Sequence, residues 1–339
     1  MDGGSGKLLQ SRLLIQHDPT AMPPAMSAAL SPDTAPHALT PGQAPRLSTV
    51  MSGPVRLAVK QWGDPRRPTI VLVHGYPDNS AVWHPVADLL ARDFHVVAYD
   101  VRGAGQSDRP ARIRDYKLDK LKDDFVAVID QVSPDKPVHL VAHDWGSIQS
   151  WEAVTEPALQ HRILSFTSCS GPCLDHIGHW FRQRLAHPTW RNVKQLLIQS
   201  VKSWYIYFFQ LPLLPGLLWR AGVGRAWPKL VRLLEGTQVE TNPTQVADGV
   251  HGVQLYRANM LPRLLRPRNR PTTVPVQVLV PRRDLYVSPW LTEDLHRWTD
   301  KLWRREYTAG HWMPASHPGE MAGAIRRFVQ FTSRPAAAA

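Results

Sequence analysis

The pentapeptide AHDWG, Ala142 to Gly146, places a carboxylate at a position where a sharp turn between a strand and a helix would present it for attack. It directly follows the apolar run PVHLVA (Pro137–Ala142) and precedes a helical segment. The order small, any, nucleophile, any, small suits a nucleophile elbow. In such a turn the central residue takes a strained, exposed conformation, and the flanking residues must be small for the turn to pack. Asp144 holds the centre. A carboxylate there can attack an electrophilic carbon and carry it as an ester, splitting one difficult displacement into two easier steps. Asp is also a common helix cap, and the motif alone serves either role equally well.

Three further groups supply partners for the first role. HGYP (His74–Pro77) lies at the end of the third strand, where a backbone N–H can face a developing oxyanion together with the N–H after the nucleophile; Tyr76 and Trp145 are the expected donors. Asp284 stands just past VPVQVLVP (Val274–Pro281), and His311 lies in AGHW after the last strand, behind Gly310. Read singly, Asp284 is a surface turn residue and His311 one of 15 histidines. Both nevertheless fall at the carboxyl ends of expected parallel strands, where open sheets build their sites. Asp144, Asp284 and His311 then follow the chain order nucleophile, orienting acid, base.

The elements that must position these groups follow a βα rhythm. Strands are expected at Val55–Gln61, Thr69–Val73, His95–Asp100, Pro137–Ala142 and Ile163–Ser170, with helices near Ala81–Ala91 and Leu118–Val132. Short apolar strands between amphipathic helices indicate a parallel sheet covered on both faces. From about Gly171 to Arg270 the sequence turns helical in period and rich in Trp, Leu and Arg. The rhythm resumes with Val274–Pro281, a helix near Pro289–Trp298, a strand near Leu302–Thr308 and a helix near Pro318–Phe331. The expected organisation is a leader over 1–49, a core over 50–172 and 271–333, a helical cap over 173–270 between the sixth and seventh strands, and a tail over 334–339. Leader and tail are expected to be disordered: rich in Pro, Ala, Ser, Thr and Gly, the leader cannot bury enough surface to offset ordering entropy.

Composition sets outer bounds. With 339 residues, 43% of them hydrophobic and 20% charged, the chain suits one soluble catalytic domain with an insertion. Cys169 and Cys173 form neither a disulfide framework nor a metal-ligand pattern, so no metal is expected and a reducing, cytoplasmic setting is. The net charge of +12 comes from scattered arginines without interleaved stacking aromatics, which argues against nucleic acid as a partner. Gln10, Ser11 and Arg12 interrupt the stretch Lys7 to Ile15, so no secretion signal is expected. Trp204–Gly224 is apolar, but Gln210, Pro212, Pro215 and Arg220 argue for a buried or pocket-lining cap helix and against a membrane span.

Taken together, HGYPD, DVRGAGQSDRP (Asp100–Pro110), AHDWG and AGHW resemble the epoxide hydrolase branch of the α/β-hydrolase superfamily, over about Val55 to Phe331. The resemblance implies a mostly parallel eight-stranded sheet flanked by helices, with an inserted helical cap. It also implies two cap tyrosines that hydrogen-bond the epoxide oxygen. SWYIYFFQLP (Ser203–Pro212) matches the first with Tyr205, Tyr207 being the fallback, and QLYRAN (Gln254–Asn259) matches the second with Tyr256. Either tyrosine taken singly is equally a core aromatic. His74, Pro77, Trp145, Tyr207, Phe209 and Trp312 are the expected substrate contacts, and Arg102, Gly103 and Gly105 are expected to shape a loop near the site.

The expected partners are a small lipophilic epoxide and water, in a monomer or homodimer. Two departures from the family pattern are Ala142, where glycine is usual, and Asp78, where Glu is frequent. The chain also resembles hydrolase domains fused to a short-chain dehydrogenase, yet it ends in PAAAA with no Gly-rich nucleotide-binding segment following, so no dinucleotide or other cofactor is expected. A haloalkane dehalogenase would use the same aspartate, but Tyr76 replaces a polar residue common there and halide departure needs no proton donors. Fluoroacetate-type dehalogenases carry Arg where Trp145 stands. Ser147 lacks elbow flanks, and a catalytically silent ligand-binding protein would not need the three triad positions.

Overall fold

Aliphatic runs whose every residue is buried form the centre of a single sheet. The computed structural model describes residues 44–240 and 242–333. The strands are β1 (Arg46–Ser52), β2 (Val55–Trp62), β3 (Thr69–Val73), β4 (His95–Tyr99), β5 (Val138–His143), β6 (Ile163–Cys169), β7 (Val276–Pro281) and β8 (Leu302–Tyr307). Their order across the sheet is β1-β2-β4-β3-β5-β6-β7-β8. β1 pairs antiparallel with β2 and β2 with β4, while all later pairs are parallel.

Helices α1 (His84–Leu90), α2 (Leu118–Val132) and α3 (Trp145–Val154) connect the central strands. Among the described residues, six α-helices and a π-helical turn (Trp219–Val223) separate β6 from β7: α4 (Leu174–Ala186), α5 (Trp190–Lys202), α6 (Trp204–Gln210), α7 (Leu214–Leu218), α8 (Gly224–Glu235) and α9 (Gln245–Leu265). The short α10 (Met313–Ser316) and α11 (Pro318–Thr332) close the described chain.

Alternation along β3 and β4 divides the core between the two faces. Ile70, Leu72, Val96 and Ala98 pack with residues of α1 and α11, whereas Val71, Val73, Val97 and Tyr99 pack with residues of α2 and α3. Burying each of the Val, Leu and Ile side chains among these is worth about 1.5–3 kcal/mol, so the double cover anchors the strand ends that carry the site.

The fold agrees with the expected class and refines it in three places. β1 opens at Arg46, inside the stretch assigned to the leader, because only Val50 and Ser52 of this edge strand are buried and the run RLSTVMS carries little apolar signal. Residues 1–43 of the leader and the tail from 334 lie outside the described residues. The helix expected near Pro289–Trp298 forms over Pro289–Arg297 as three-ten turns, such as Leu291 N–H to the Ser288 carbonyl, 3.1 Å. The apolar stretch Trp204–Gly224 is broken at Leu213 and Gly222, both with positive φ. Among the described residues no helix is long and apolar enough to cross a membrane.

Candidate active site

The turn from β5 to α3 holds Asp144 at φ 50°, ψ −126°, a conformation costing a non-glycine residue about 1–3 kcal/mol. Its side chain makes no capping bond to α3, so the helix-cap reading does not apply. The elbow closes this tightly because Gly146 has no Cβ: one there would stand 2.1 Å from the Val73 carbonyl oxygen. Asp144 Oδ2 accepts the Tyr76 N–H at 2.8 Å. A Cβ on Gly75 would lie 2.3 Å from that oxygen and 2.8 Å from the Trp145 nitrogen, so both expected oxyanion donors border the same small space.

His311 and Asp284 come to Asp144 from the ends of β8 and β7. His311 Nε2 is 3.5 Å from Asp144 Oδ1, and Nδ1 is 3.0 Å from Asp284 Oδ2. Asp284 Oδ1 accepts the N–H groups of Tyr286 and Val287 at 2.8 and 2.9 Å. All three side chains are buried. Burial disfavours the imidazolium, but the carboxylates of Asp284 and Asp144 outweigh it and hold His311 well above its usual pKa. Burial likewise opposes the Asp284 carboxylate, and His311 with the two N–H donors keeps its pKa below the ordinary value.

Both expected tyrosines face this group from the insertion. Tyr256 on α9 lies with its ring 4.8 Å from Trp145 and 5.3 Å from Tyr76, and Tyr205 on α6 is 5.9 Å from Tyr256. Tyr286 bridges Tyr205 and His311, at 5.6 and 4.8 Å. Burial, with the nearby Asp144 carboxylate adding to it, raises both phenols well above 10, so each is a hydrogen-bond donor at neutral pH. Phe209 packs 4.9 Å from Tyr256.

Two expected contacts are corrected. Tyr207 is 62% exposed and points away from the site, because its neighbour two residues back on the same helix, Tyr205, faces inward. His74 spends both ring nitrogens on the backbone, donating from Nδ1 to the Gly75 carbonyl and accepting the Val101 N–H at Nε2, 2.9 Å each, and so supports the loop without facing a substrate. Pro77 directs its carbonyl to Gln245 Nε2 at 2.7 Å, tying the β3 loop to α9. Arg102 shapes its loop as expected, through Asp124 at 2.6 Å and the Asp115 carbonyl at 2.7 Å.

Three residues that the sequence did not single out, together with Asp78, noted there only as a departure from the family pattern, surround the same group. His143 supports the His311 loop, donating from Nε2 to the His311 carbonyl at 2.8 Å; burial lowers it to about 4, so it is neutral. Tyr286 packs on His311, as above. Glu235, at the end of α8, accepts the Trp312 N–H at 3.2 Å. Trp312 Nε1 in turn donates to Asp78 at 2.9 Å. Of these, His143 and Asp78 stand inside quoted motifs, while Glu235 and Tyr286 carry no local signal.

Asp78 gives a pH test. Burial raises it to about 7 against the opposing Trp312 bond, so the folded state holds its proton more tightly than the unfolded chain does. Its contribution to stability therefore falls as pH rises from about 4 towards 7. Asp78→Asn keeps an acceptor for Trp312 and cannot ionise. Thermal melts should show its advantage over wild type growing from pH 5 to pH 8, by on the order of 1 kcal/mol once partial solvent exposure is allowed for. A constant difference across that range would place the ionisation of Asp78 elsewhere.

Comparison with known proteins gives three kinds of likeness. Residues 68–318 match a family model described as alpha/beta hydrolase fold. A Mycobacterium tuberculosis protein named Probable oxidoreductase EphD is 39% identical over 294 residues, covering 84% of this chain and 50% of its own length. The chain thus spans half the length of that relative. Epoxide hydrolase 3 of Xenopus tropicalis is 26% identical over 299 residues, covering 79% of this chain and 73% of its own. Among solved structures, the Bacillus megaterium epoxide hydrolase aligns with a TM-score of 0.68 at 19% identity over 84% of this chain and 100% of that one. Epoxide hydrolase VrEH1 of Vigna radiata aligns at 0.67 and 21% identity, over 85% and 98%. At such identities the structures speak for the fold.

Proposed function

The chain belongs to the α/β-hydrolase fold family, its similarities gathered on the epoxide hydrolase branch, and we propose that it opens an epoxide to a vicinal diol through a covalent ester on Asp144. The observation that carries this reading is the setting of the Asp144 carboxylate. It sits on a strained elbow with one oxygen on the Tyr76 N–H and the other beside His311, near the buried phenol of Tyr256 and the half-buried phenol of Tyr205, both protonated. A carboxylate nucleophile accounts for the elbow, and proton donors account for the tyrosines, because an opening epoxide leaves as an alkoxide that must be protonated.

In the first step Asp144 Oδ1 forms a bond to an epoxide carbon while the carbon–oxygen bond breaks. The departing oxygen takes a proton from Tyr205 or Tyr256. Esterification removes the charge of Asp144, one of the two carboxylates that hold the proton on His311. That proton can then pass through solvent to the phenolate, leaving a neutral base. His311 takes a proton from water as the water oxygen attacks the Asp144 carboxyl carbon, and the negative charge develops against the N–H groups of Tyr76 and Trp145. The diol oxygen leaves with the proton from His311, and the new carboxylic acid returns its own proton to His311. Epoxide and water are consumed, one diol forms, and every group regains its initial state. The aromatic lining suits a lipophilic substrate.

A panel of lipophilic and small epoxides, with one chloroalkane and one ester, tests the reading when diol, halide and acid are followed together. Diol from wild type is the expected result; halide without diol would move the protein to the dehalogenases, and acid from the ester would point to ordinary esterase chemistry. In the same assay Tyr205→Phe and Tyr256→Phe should each lower the rate by roughly 10–100-fold. The double variant should lose about 10³-fold, since each phenol covers in part for the other. Exposed Tyr207→Phe should match wild type; a loss there as large as at Tyr205 would reverse the assignment.

A further inference from the structure

The insertion carries a helix that is inside out. On α5 the buried side chains are Gln195 and Gln199. Gln195 accepts from Arg184 at 2.9 Å, and Gln199 donates to the Tyr286 carbonyl at 2.9 Å and accepts from the Ser288 N–H at 3.3 Å. The opposite side holds Trp190, Leu197 and Val201, which are 80%, 61% and 71% exposed. With Lys194 these residues fall within roughly 60° of arc at 3.6 residues per turn, so they form one stripe. Trp204, 65% exposed, follows at the start of α6, and the corner between α6 and α7 exposes Leu213 and Leu217. Single exposed apolar residues need no explanation, but a continuous stripe on a helix that buries its glutamines does.

The charge along the same segment narrows the occupant. From Trp190 to Leu234 the chain has seven Lys or Arg residues (Arg191, Lys194, Lys202, Arg220, Arg225, Lys229 and Arg232) and no Asp or Glu. Lys202 turns inward to the Asp284 carbonyl and Arg191 meets Glu293, which leaves Lys194, Arg220, Arg225, Lys229 and Arg232 as the exposed cations of the segment. A second copy of the chain would set these cations against their own kind. A segment that exposes apolar, Trp-bearing side chains together with an excess of cations matches the interface of a bilayer containing anionic lipid, where indole rings settle at headgroup level and Lys and Arg pair with phosphate.

We propose that α5 and the following α6–α7 corner dock the protein on the surface of an anionic membrane, in the plane of the interface and without crossing it. α6 links this surface to the candidate site, since it turns Trp204 outward and Tyr205 inward.

Sedimentation of the full chain with vesicles of phosphatidylcholine alone, or of phosphatidylcholine mixed with phosphatidylglycerol, tests this directly and uses no substrate. Wild type should sediment with the mixed vesicles and little with the neutral ones. A Trp190→Ser, Leu197→Ser, Trp204→Ser triple variant should lose about tenfold or more in vesicle affinity, as should a variant carrying Lys194→Glu on α5 and Arg220→Glu just after α7. Because all five positions are exposed, the melting temperatures should stay close to wild type. Three outcomes would overturn the proposal. One is failure of wild type to bind the mixed vesicles. Another is undiminished binding by the serine variant. The last is a wild-type dimer, seen by sedimentation velocity, that the serine variant disperses. None of these bears on diol formation, which is read separately.

Discussion

Asp144→Ala is expected to lower diol formation by at least about 10⁴-fold while leaving the fold intact, because the proposed first step has no other group that can take the substrate as an ester. The side chain anchors little else: it receives the Tyr76 N–H and approaches His311, and it makes no bond into α3. Alanine would keep the strained φ of 50°, so stability should change little in either direction. A single turnover with enzyme in excess, run in water enriched in heavy oxygen, separates this role from a simpler one. If Asp144 attacks carbon, the first diol carries an unlabelled oxygen from the carboxylate, and the label appears in the peptide containing Asp144. If Asp144 only activates water, the label enters the first diol directly and the peptide stays unlabelled. That second outcome, or an alanine variant with near wild-type activity, would sink the ester mechanism.

How much of this could be read before the structure depended on how local the governing interactions were. The elbow was legible because its requirements lie within five residues, a small residue on either side of Asp144 and an apolar strand before it. The partners Asp284 and His311 were legible because parallel strands place such residues at one edge of the sheet. β1 was not, since an edge strand with two buried residues has almost no apolar pattern. Helix α6 reads WYIYFFQ, apolar all round, so its sequence does not fix which tyrosine points inward; packing against Tyr256, Phe209 and Tyr286 does. Asp78 meets Trp312 across 234 positions, and Glu235 meets the Trp312 N–H across 77, so no window of sequence contains either pair. The same limit hid the reversed face of α5: its period announces a helix, but only the structure places Gln195 and Gln199 inside.

The complementary result is expected from His311→Gln, which should stop the second half of the reaction and spare the first. Attack by Asp144 uses the carboxylate and a tyrosine proton, whereas hydrolysis of the ester needs a base at the position of His311 Nε2, 3.5 Å from Asp144. The variant should therefore release at most about one equivalent's worth of chemistry and then stall, with steady-state turnover down by about 10³–10⁴-fold and the mass of the intact protein raised by that of the epoxide. In wild type the same step should speed up as pH rises. Burial disfavours the His311 imidazolium while Asp284 and Asp144 together hold its proton; the ester removes Asp144 from that balance, so the neutral base becomes populated at lower pH than in the free enzyme and increasingly so above it. Rapid-quench samples should accordingly contain more ester at low pH than at high. A glutamine variant that formed neither ester nor diol would place His311 in the first step, and one that turned over normally would remove it from the reaction altogether.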